Sequence, residues 1–265
     1  LLHGFPDDAT AWNDVGPVLA EHHWVLAPYA RGIGPTGFLR RDTPRSGQLA
    51  ASAADIIAFA DALGISRFAL VGQDWGQRSG QAVAALHPDR VTRLISIGDY
   101  ALKFDRTGKP SFKQLFAFRF HILMNTSLAE PVLKHWRRAL FRHLWRSWSP
   151  KLTFDAAVFQ RVAASFDNPD FVPLILSTYR QFSGKGVRDP KYADDEAILA
   201  SGPIISVPTT VIRATQDGLD FFDPSRSTPS QKFSGKVDLR LISTGHVPQR
   251  EQPQELAKVI SDALA

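Results

Sequence analysis

Val71-Gly72-Gln73-Asp74-Trp75-Gly76 is the stretch on which the reading of this chain turns. It closes Phe68 to Gly72 (FALVG), a β-rich run without polar alternation, as expected of a strand covered on both faces. A helical pattern follows from about Gln77 to Leu86, ended by His87-Pro88. G-x-D-x-G between a strand and a helix is the carboxylate counterpart of the G-x-S-x-G elbow. There, glycines relieve crowding around a sharp turn that lifts one side chain, in strained geometry, to the head of a helix. Helix N–H groups and the helix field favour an anion there, so the Asp74 carboxylate is expected to stay ionised. Alone the segment is ambiguous, because Asp is also an ordinary helix N-cap. Its surroundings have to decide.

The surroundings alternate short apolar runs with helical patterns, which indicates a parallel sheet. His23 to Tyr29 reads as a strand ending in the glycine-rich turn Arg31-Gly32-Ile33-Gly34, and Val91 to Gly98 as another. Ser46 to Leu63 carries apolar residues at helical spacing, with Gly64 as the stop signal. From about Phe104 to Lys191 parallel-strand signals cease. The stretch is rich in Phe, Trp and Arg and is punctuated by Pro110, Pro131, Pro150, Pro169 and Pro173. Strand signals resume at Thr209 to Arg213 and Val237 to Ser243, and Gln254 to Ala263 closes as a helix. The expected fold is α/β: a mostly parallel central sheet flanked by helices, with residues 1–103 and 192–265 as core. Residues 104–191 form an inserted helical cap (lid) over the carboxyl ends of the strands, where open α/β sheets place their sites.

Composition narrows the classes. With 265 residues, 44% hydrophobic and 22% charged, the chain suits one large domain that buries a core without metal or disulfide staples. It contains no cysteine, which excludes a thiol nucleophile and a thiolate metal site. Much of the net charge of +5 gathers in Lys134 to Arg146. The bland reading is an amphipathic helix with a solvated basic face and an aromatic underside. No recognition motif accompanies the charge, so no nucleic-acid partner is expected. No apolar run approaches the roughly 20 residues needed to cross a bilayer. No leader pattern is readable in LLHGFP, and a cytoplasmic location is the expectation, though a chain opening within a strand pattern leaves its own beginning open. A homodimer is left open too.

The other chemistry-bearing residues fall in an ordered series. His3-Gly4-Phe5-Pro6 follows a strand end, where its loop can donate the Phe5 N–H to an oxyanion beside that of Trp75. Asp217 lies in Ala214-Thr215-Gln216-Asp217-Gly218 after one strand, and His246 in Thr244-Gly245-His246-Val247-Pro248 after the last. A histidine on such a loop is the expected general base, and Asp217 is placed to orient it. Asp220 and Asp99 are the second and third choices for that acid. The sequence holds no G-x-S-x-G, so no serine competes with Asp74.

HGFP, RGIGPT, VGQDWGQ, SFDNPDFV and GHVPQREQP together resemble the epoxide hydrolase and haloalkane dehalogenase branch of the α/β-hydrolase superfamily, nearest the bacterial epoxide-hydrolase-like proteins. The likeness spans essentially the whole chain. It implies that Asp74 attacks an sp3 carbon and forms a covalent ester, which a water activated by His246 hydrolyses. No cofactor or metal enters, and the partners are a small apolar substrate and water. Two lid tyrosines serve as acid in the family. Tyr179 matches the second, but the first falls at Ala117 to His121, where Phe118 or Phe120 stands instead and joins Trp75 as pocket wall. A haloalkane or haloacid dehalogenase is the alternative, because a halide leaves as an anion needing N–H donors. Trp75 matches one such donor; Phe5 removes an Asn option; Trp136, Trp145 and Trp148 are candidates for a second. Asp167 reads as a structural cap or turn former. A catalytically idle ligand-binding module on the same fold is the alternative of another class.

Overall fold

The computed structural model describes residues 1–102, 118–219 and 231–265. Asp220, the second choice for the acid, and Phe104, where the lid stretch begins, lie outside those residues. Four parallel strands, β1 (Phe68–Gln73), β2 (Val91–Ile97), β3 (Thr209–Ala214) and β4 (Val237–Ile242), pair in the order β1-β2-β3-β4. The chain leaves the sheet after Ile97 and returns at Thr209 directly beside β2, with Leu94 opposite Thr209. Leu2 extends the sheet beyond β1: its N–H donates to the Val71 carbonyl at 2.7 Å and its carbonyl accepts from Gln73 at 3.2 Å. That pairing brings His3-Gly4-Phe5 alongside the carboxyl end of β1.

His23 to Tyr29 departs from expectation. The segment is not a strand, and its recorded sheet-like bond is from the Leu1 amino group to the Leu26 carbonyl, at 2.7 Å. Apolar content made it read as β, but a strand exists only through a ladder, and one bond does not make one.

Helices cover both faces. Leu70, Leu94 and Val211 point to one side, where they meet α1 (Leu49–Ala62) and α2 (Trp75–Leu86). Their neighbours Val71, Ile95 and Ile212 point to the other, against Trp12, Val15 and the terminal helix Pro253–Leu264. The period of two splits one apolar run between two cores. A third cluster belongs to α3 (Arg119–Met124), α4 (Ala129–Trp148), α5 (Ala156–Ser165) and α6 (Phe171–Gln181). It packs Phe120, Phe141, Phe159, Phe166 and Phe171 together and meets the sheet's carboxyl end through Phe5 and Trp75.

The basic stretch lies within α4, which buries Leu133, Phe141, Leu144, Trp145 and Trp148. Asp167 sits in the turn that ends the helix of residues 156–165, as expected, and its carboxylate also pairs with both Arg137 and Arg138. Among the described residues no helix is long and apolar enough to cross a membrane.

Leu94 is fully buried in β2. Replacing it with Ala leaves a cavity between strand and helices, and is expected to cost about 2–5 kcal/mol of stability. Urea unfolding reads this as a lower midpoint, while Leu39→Ala, at a fully exposed position, leaves the midpoint unchanged.

Candidate active site

β1 ends at Gln73 and α2 begins at Trp75, so Asp74 alone makes the turn, at φ 51° and ψ −115°. It is the one non-glycine residue with positive φ among the described residues. Such a conformation costs about 1–3 kcal/mol and persists only where the surroundings impose it. The flanking glycines allow it: a Cβ on Gly76 would lie 2.2 Å from the Leu2 carbonyl oxygen, and one on Gly72 2.4 Å from that of Gly76.

Asp74 occupies the N-cap position of α2, yet its side chain makes no capping hydrogen bond. Its Oδ1 accepts the Phe5 N–H at 2.8 Å instead. Burial would raise its pKa, but the His246 ring and the Phe5 and Trp75 amides outweigh that and hold the carboxyl below its usual range. Asp74 is an anion here.

His246 sits after β4, with Nδ1 2.8 Å from Asp217 Oδ2 and Nε2 3.6 Å from Asp74 Oδ2. Nε2 is buried and forms no hydrogen bond. Burial alone would favour the neutral ring. Asp217 first, then Asp74, reverse this and push the imidazole well above its ordinary value. The second oxygen of Asp217 accepts the Leu219 N–H at 2.7 Å. Asp99 stands elsewhere: its carboxylate pairs with Arg213 of β3, and its carbonyl accepts the side-chain amides of Gln77 and Gln81.

Tyr179, on α6, is buried with its hydroxyl accepting the Trp75 indole N–H at 3.2 Å. Burial and the Asp74 charge push its pKa well up, against the Trp75 donor and Arg78. Phe120 meets the Tyr179 ring at 4.9 Å and Phe5 at 5.6 Å, whereas Phe118 packs against His121 at 5.1 Å. The three tryptophans separate cleanly. Trp136 is exposed, and Trp145 donates its indole N–H to the Pro6 carbonyl at 2.7 Å. Trp148 is buried 5.1 Å from the His246 ring, with its N–H unpartnered.

Several residues around the site escaped the sequence. Gln73, the variable position of the G-x-D-x-G, donates its side-chain amide to the His246 carbonyl at 2.8 Å, tying the turn to the histidine loop. Arg250 grips Asp7 with two bonds of 2.6 Å and stacks on Trp145 at 5.1 Å. His3 accepts the Ala30 N–H on Nε2 at 3.1 Å and donates from Nδ1 to the Gly4 carbonyl at 3.0 Å; burial lowers its pKa, which keeps it neutral. Each of these partners lies far along the chain or in a loop, where spacing carries no signal. Only membership of a motif hinted at them: Gln73 of VGQDWGQ, His3 of HGFP and Arg250 of GHVPQREQP, with Asp7 directly after HGFP. A cavity of about 680 Å³ lies behind Phe5 and Trp75, walled by Tyr29, Ile33, Phe38 and Leu174; Asp74, His246, Asp217 and Tyr179 do not line it. Among the described residues no His/Asp/Glu cluster is arranged to hold a metal ion.

Taken together, these groups can present an ionised carboxylate beside two N–H donors, an imidazole oriented by a second carboxylate, and a phenol held by an indole. Comparison with known proteins gives the family. The profile of the alpha/beta hydrolase fold matches residues 1–253. A Burkholderia fluoroacetate dehalogenase is 38% identical over 98 residues, which are 36% of this chain and 31% of that protein. Epoxide hydrolase A of Mycobacterium tuberculosis is 35% identical over 103 residues, 38% of this chain and 31% of its own. These matches therefore span about a third of the relatives' length. A solved structure from Klebsiella pneumoniae, described as a candidate epoxide hydrolase, is 34% identical with a TM-score of 0.92, covering 99% of this chain and 88% of its own. From the strained turn at Asp74 to the profile match over nearly its whole length, this chain belongs to the alpha/beta hydrolase fold family.

Proposed function

We propose that the chain is an epoxide hydrolase that converts apolar epoxides to diols through a covalent ester on Asp74. The observation that carries this is the Asp74 carboxylate: charged, free of any cap bond, held by the Phe5 N–H at 2.8 Å and facing His246 Nε2 at 3.6 Å. A carboxylate attacking an ester substrate would yield an anhydride, whereas displacement at a strained carbon gives an ester that can wait for water.

In the first step an Asp74 oxygen bonds to an epoxide carbon, the ring C–O bond breaks, and Tyr179 gives its proton to the alkoxide. Its oxygen already accepts from Trp75, and its own hydrogen is committed to no other acceptor among the described residues. Ester formation removes the Asp74 charge, one of the two that hold a proton on His246. The imidazole pKa falls, and its proton restores Tyr179. Neutral His246 then takes a proton from water as the oxygen adds to the ester carbonyl. The Phe5 and Trp75 N–H groups stabilise the resulting oxyanion. On collapse the acyl C–O bond breaks and the intermediate's hydroxyl proton passes to the leaving alkoxide. Diol, Asp74 carboxylate and imidazolium remain, so the balance is one epoxide and one water. In this scheme residues 104–191 act as the apolar cap, and no cofactor takes part.

A second reading, a dehalogenase, draws on the unpartnered Trp148 N–H beside His246, a donor suited to a leaving halide. The fluoroacetate dehalogenase relative favours it as well.

Incubating a His246→Gln variant with an aryl epoxide should add one epoxide mass to the peptide bearing Asp74, because the first step survives without the base. Absence of the adduct would sink the Asp74 scheme and favour an idle binding module. Tyr179→Phe should slow diol formation by roughly 10²–10⁴-fold, the usual worth of a positioned acid, and leave any halide release intact. Halide release without diol from any epoxide reverses the two readings. A raised His246 pKa stabilises the fold fully below the unfolded value, and that contribution is lost as pH rises through the folded value. Asp217→Asn should therefore lower the imidazole pKa and flatten the alkaline fall of the thermal midpoint; an unchanged profile contradicts the pairing.

A further inference from the structure

α4 ends at Trp148, whose single carbonyl oxygen serves two loops. It accepts the N–H of Gly218, the residue after Asp217, at 2.9 Å and the N–H of His246 at 3.2 Å. Two lone pairs make that double acceptance ordinary chemistry. Ser149, buried, takes the Val247 N–H on its hydroxyl at 3.1 Å. Both loops are cut back where they meet this helix end. A Cβ on Gly218 would lie 2.3 Å from the Ser147 carbonyl oxygen, and one on Gly245 would lie 2.7 Å from Ser149 Cα. The Trp148 indole then meets the His246 ring edge to face.

The geometry points to a positioning clasp: the carboxyl end of α4, through the Trp148 carbonyl and the Ser149 hydroxyl, sets the loop of Asp217 against that of His246. The inference rests on the roles proposed above for Asp74 and His246. Asp217 and His246 come from the ends of separate strands, and their 2.8 Å contact is directional, so their backbones need a common reference. β3 and β4 fix where each loop starts, and the Gln216 N–H on the Thr244 carbonyl at 2.9 Å carries the pairing one step further, short of Asp217 and His246 themselves. One oxygen bonded to both loops supplies the reference, and the partial negative charge at a helix C-terminus favours the imidazolium beside it. Asp74 is held by β1, α2 and the Phe5 amide, and its turn meets the histidine loop only through the side chain of the preceding residue, Gln73, on the His246 carbonyl. Loosening the clasp therefore moves the imidazole and leaves the nucleophile in place. Water activation should suffer, and ester formation should not.

Ser149→Ala tests this with a small change, read by single-turnover mixing with an aryl epoxide and intact mass. The expected result is ester formation within about twofold of the parent and ester hydrolysis slowed roughly tenfold or more, as a small misplacement of a catalytic group produces. Ester should accumulate with the thermal midpoint nearly unchanged. Nitrogen-15 titration of the His246 ring should show its raised pKa falling toward the ordinary value. An unchanged hydrolysis rate with an unchanged ring titration overturns the clasp. Equal slowing of both steps with a lowered thermal midpoint also overturns it, leaving Ser149 as structural support. If neither this variant nor His246→Gln forms an ester, the Asp74 scheme fails separately; the ring titration then decides the clasp, a fall supporting it and no change refuting it.

Discussion

His246 lies between two carboxylates, Asp217 at 2.8 Å and Asp74 at 3.6 Å, where its side chain is only 7% exposed. Three charges out of water are tolerable only if each is paired and its remaining valences are met, since breaking such a set leaves an uncompensated buried ion. Backbone N–H groups serve the carboxylates, Phe5 on Asp74 and Leu219 on Asp217, while His246 Nε2 faces Asp74 at 3.6 Å without a hydrogen bond. The parallel sheet makes this supply possible. Its strands all end on one side, so the turn at Asp74, the loop of Asp217 and the loop of His246 open into the same space. The aromatic cluster of α3 to α6 closes over them and keeps the dielectric low, which makes each pairing stronger and each vacancy costlier.

The turn was legible in the sequence because its demands are local. A strand carrying a glycine next to its end, a single turn residue and a helix carrying a glycine next to its start follow one another without interruption, and the geometry needs little else. The acid was not legible to the same degree. Asp217, Asp220 and Asp99 all follow strand signals, and choosing among them depends on which loop reaches the imidazole. Tertiary structure engages Asp99 with Arg213 across the sheet. The three lid tryptophans pose the same difficulty: composition counts indoles, but only packing tells which N–H is already bonded.

Gln73 and the Asp7–Arg250 pair mark where reading along the chain stops. Gln73 sits inside the diagnostic segment, yet its task is a bond to a carbonyl on a loop at the opposite end of the sequence. Asp7 directly follows HGFP and Arg250 lies in GHVPQREQP, and nothing in either segment predicts that they grip one another. His23 to Tyr29 shows the reverse error. Its residues favour β structure, but a strand is a property of a pair, and the bond from the Leu1 amino group to the Leu26 carbonyl builds no ladder.

Phe5 and Trp75 each present two faces to the same carboxylate. Their main-chain amides support its charge, while their rings build the walls around it and meet Tyr179 at 5.6 and 5.4 Å. Substitution alters a ring and leaves an amide where it was. Side-chain changes can thus reshape the surroundings of Asp74 at the very residues whose amides sustain its charge. That separation lets the shape around the carboxylate and the support of its charge change independently at the same two residues.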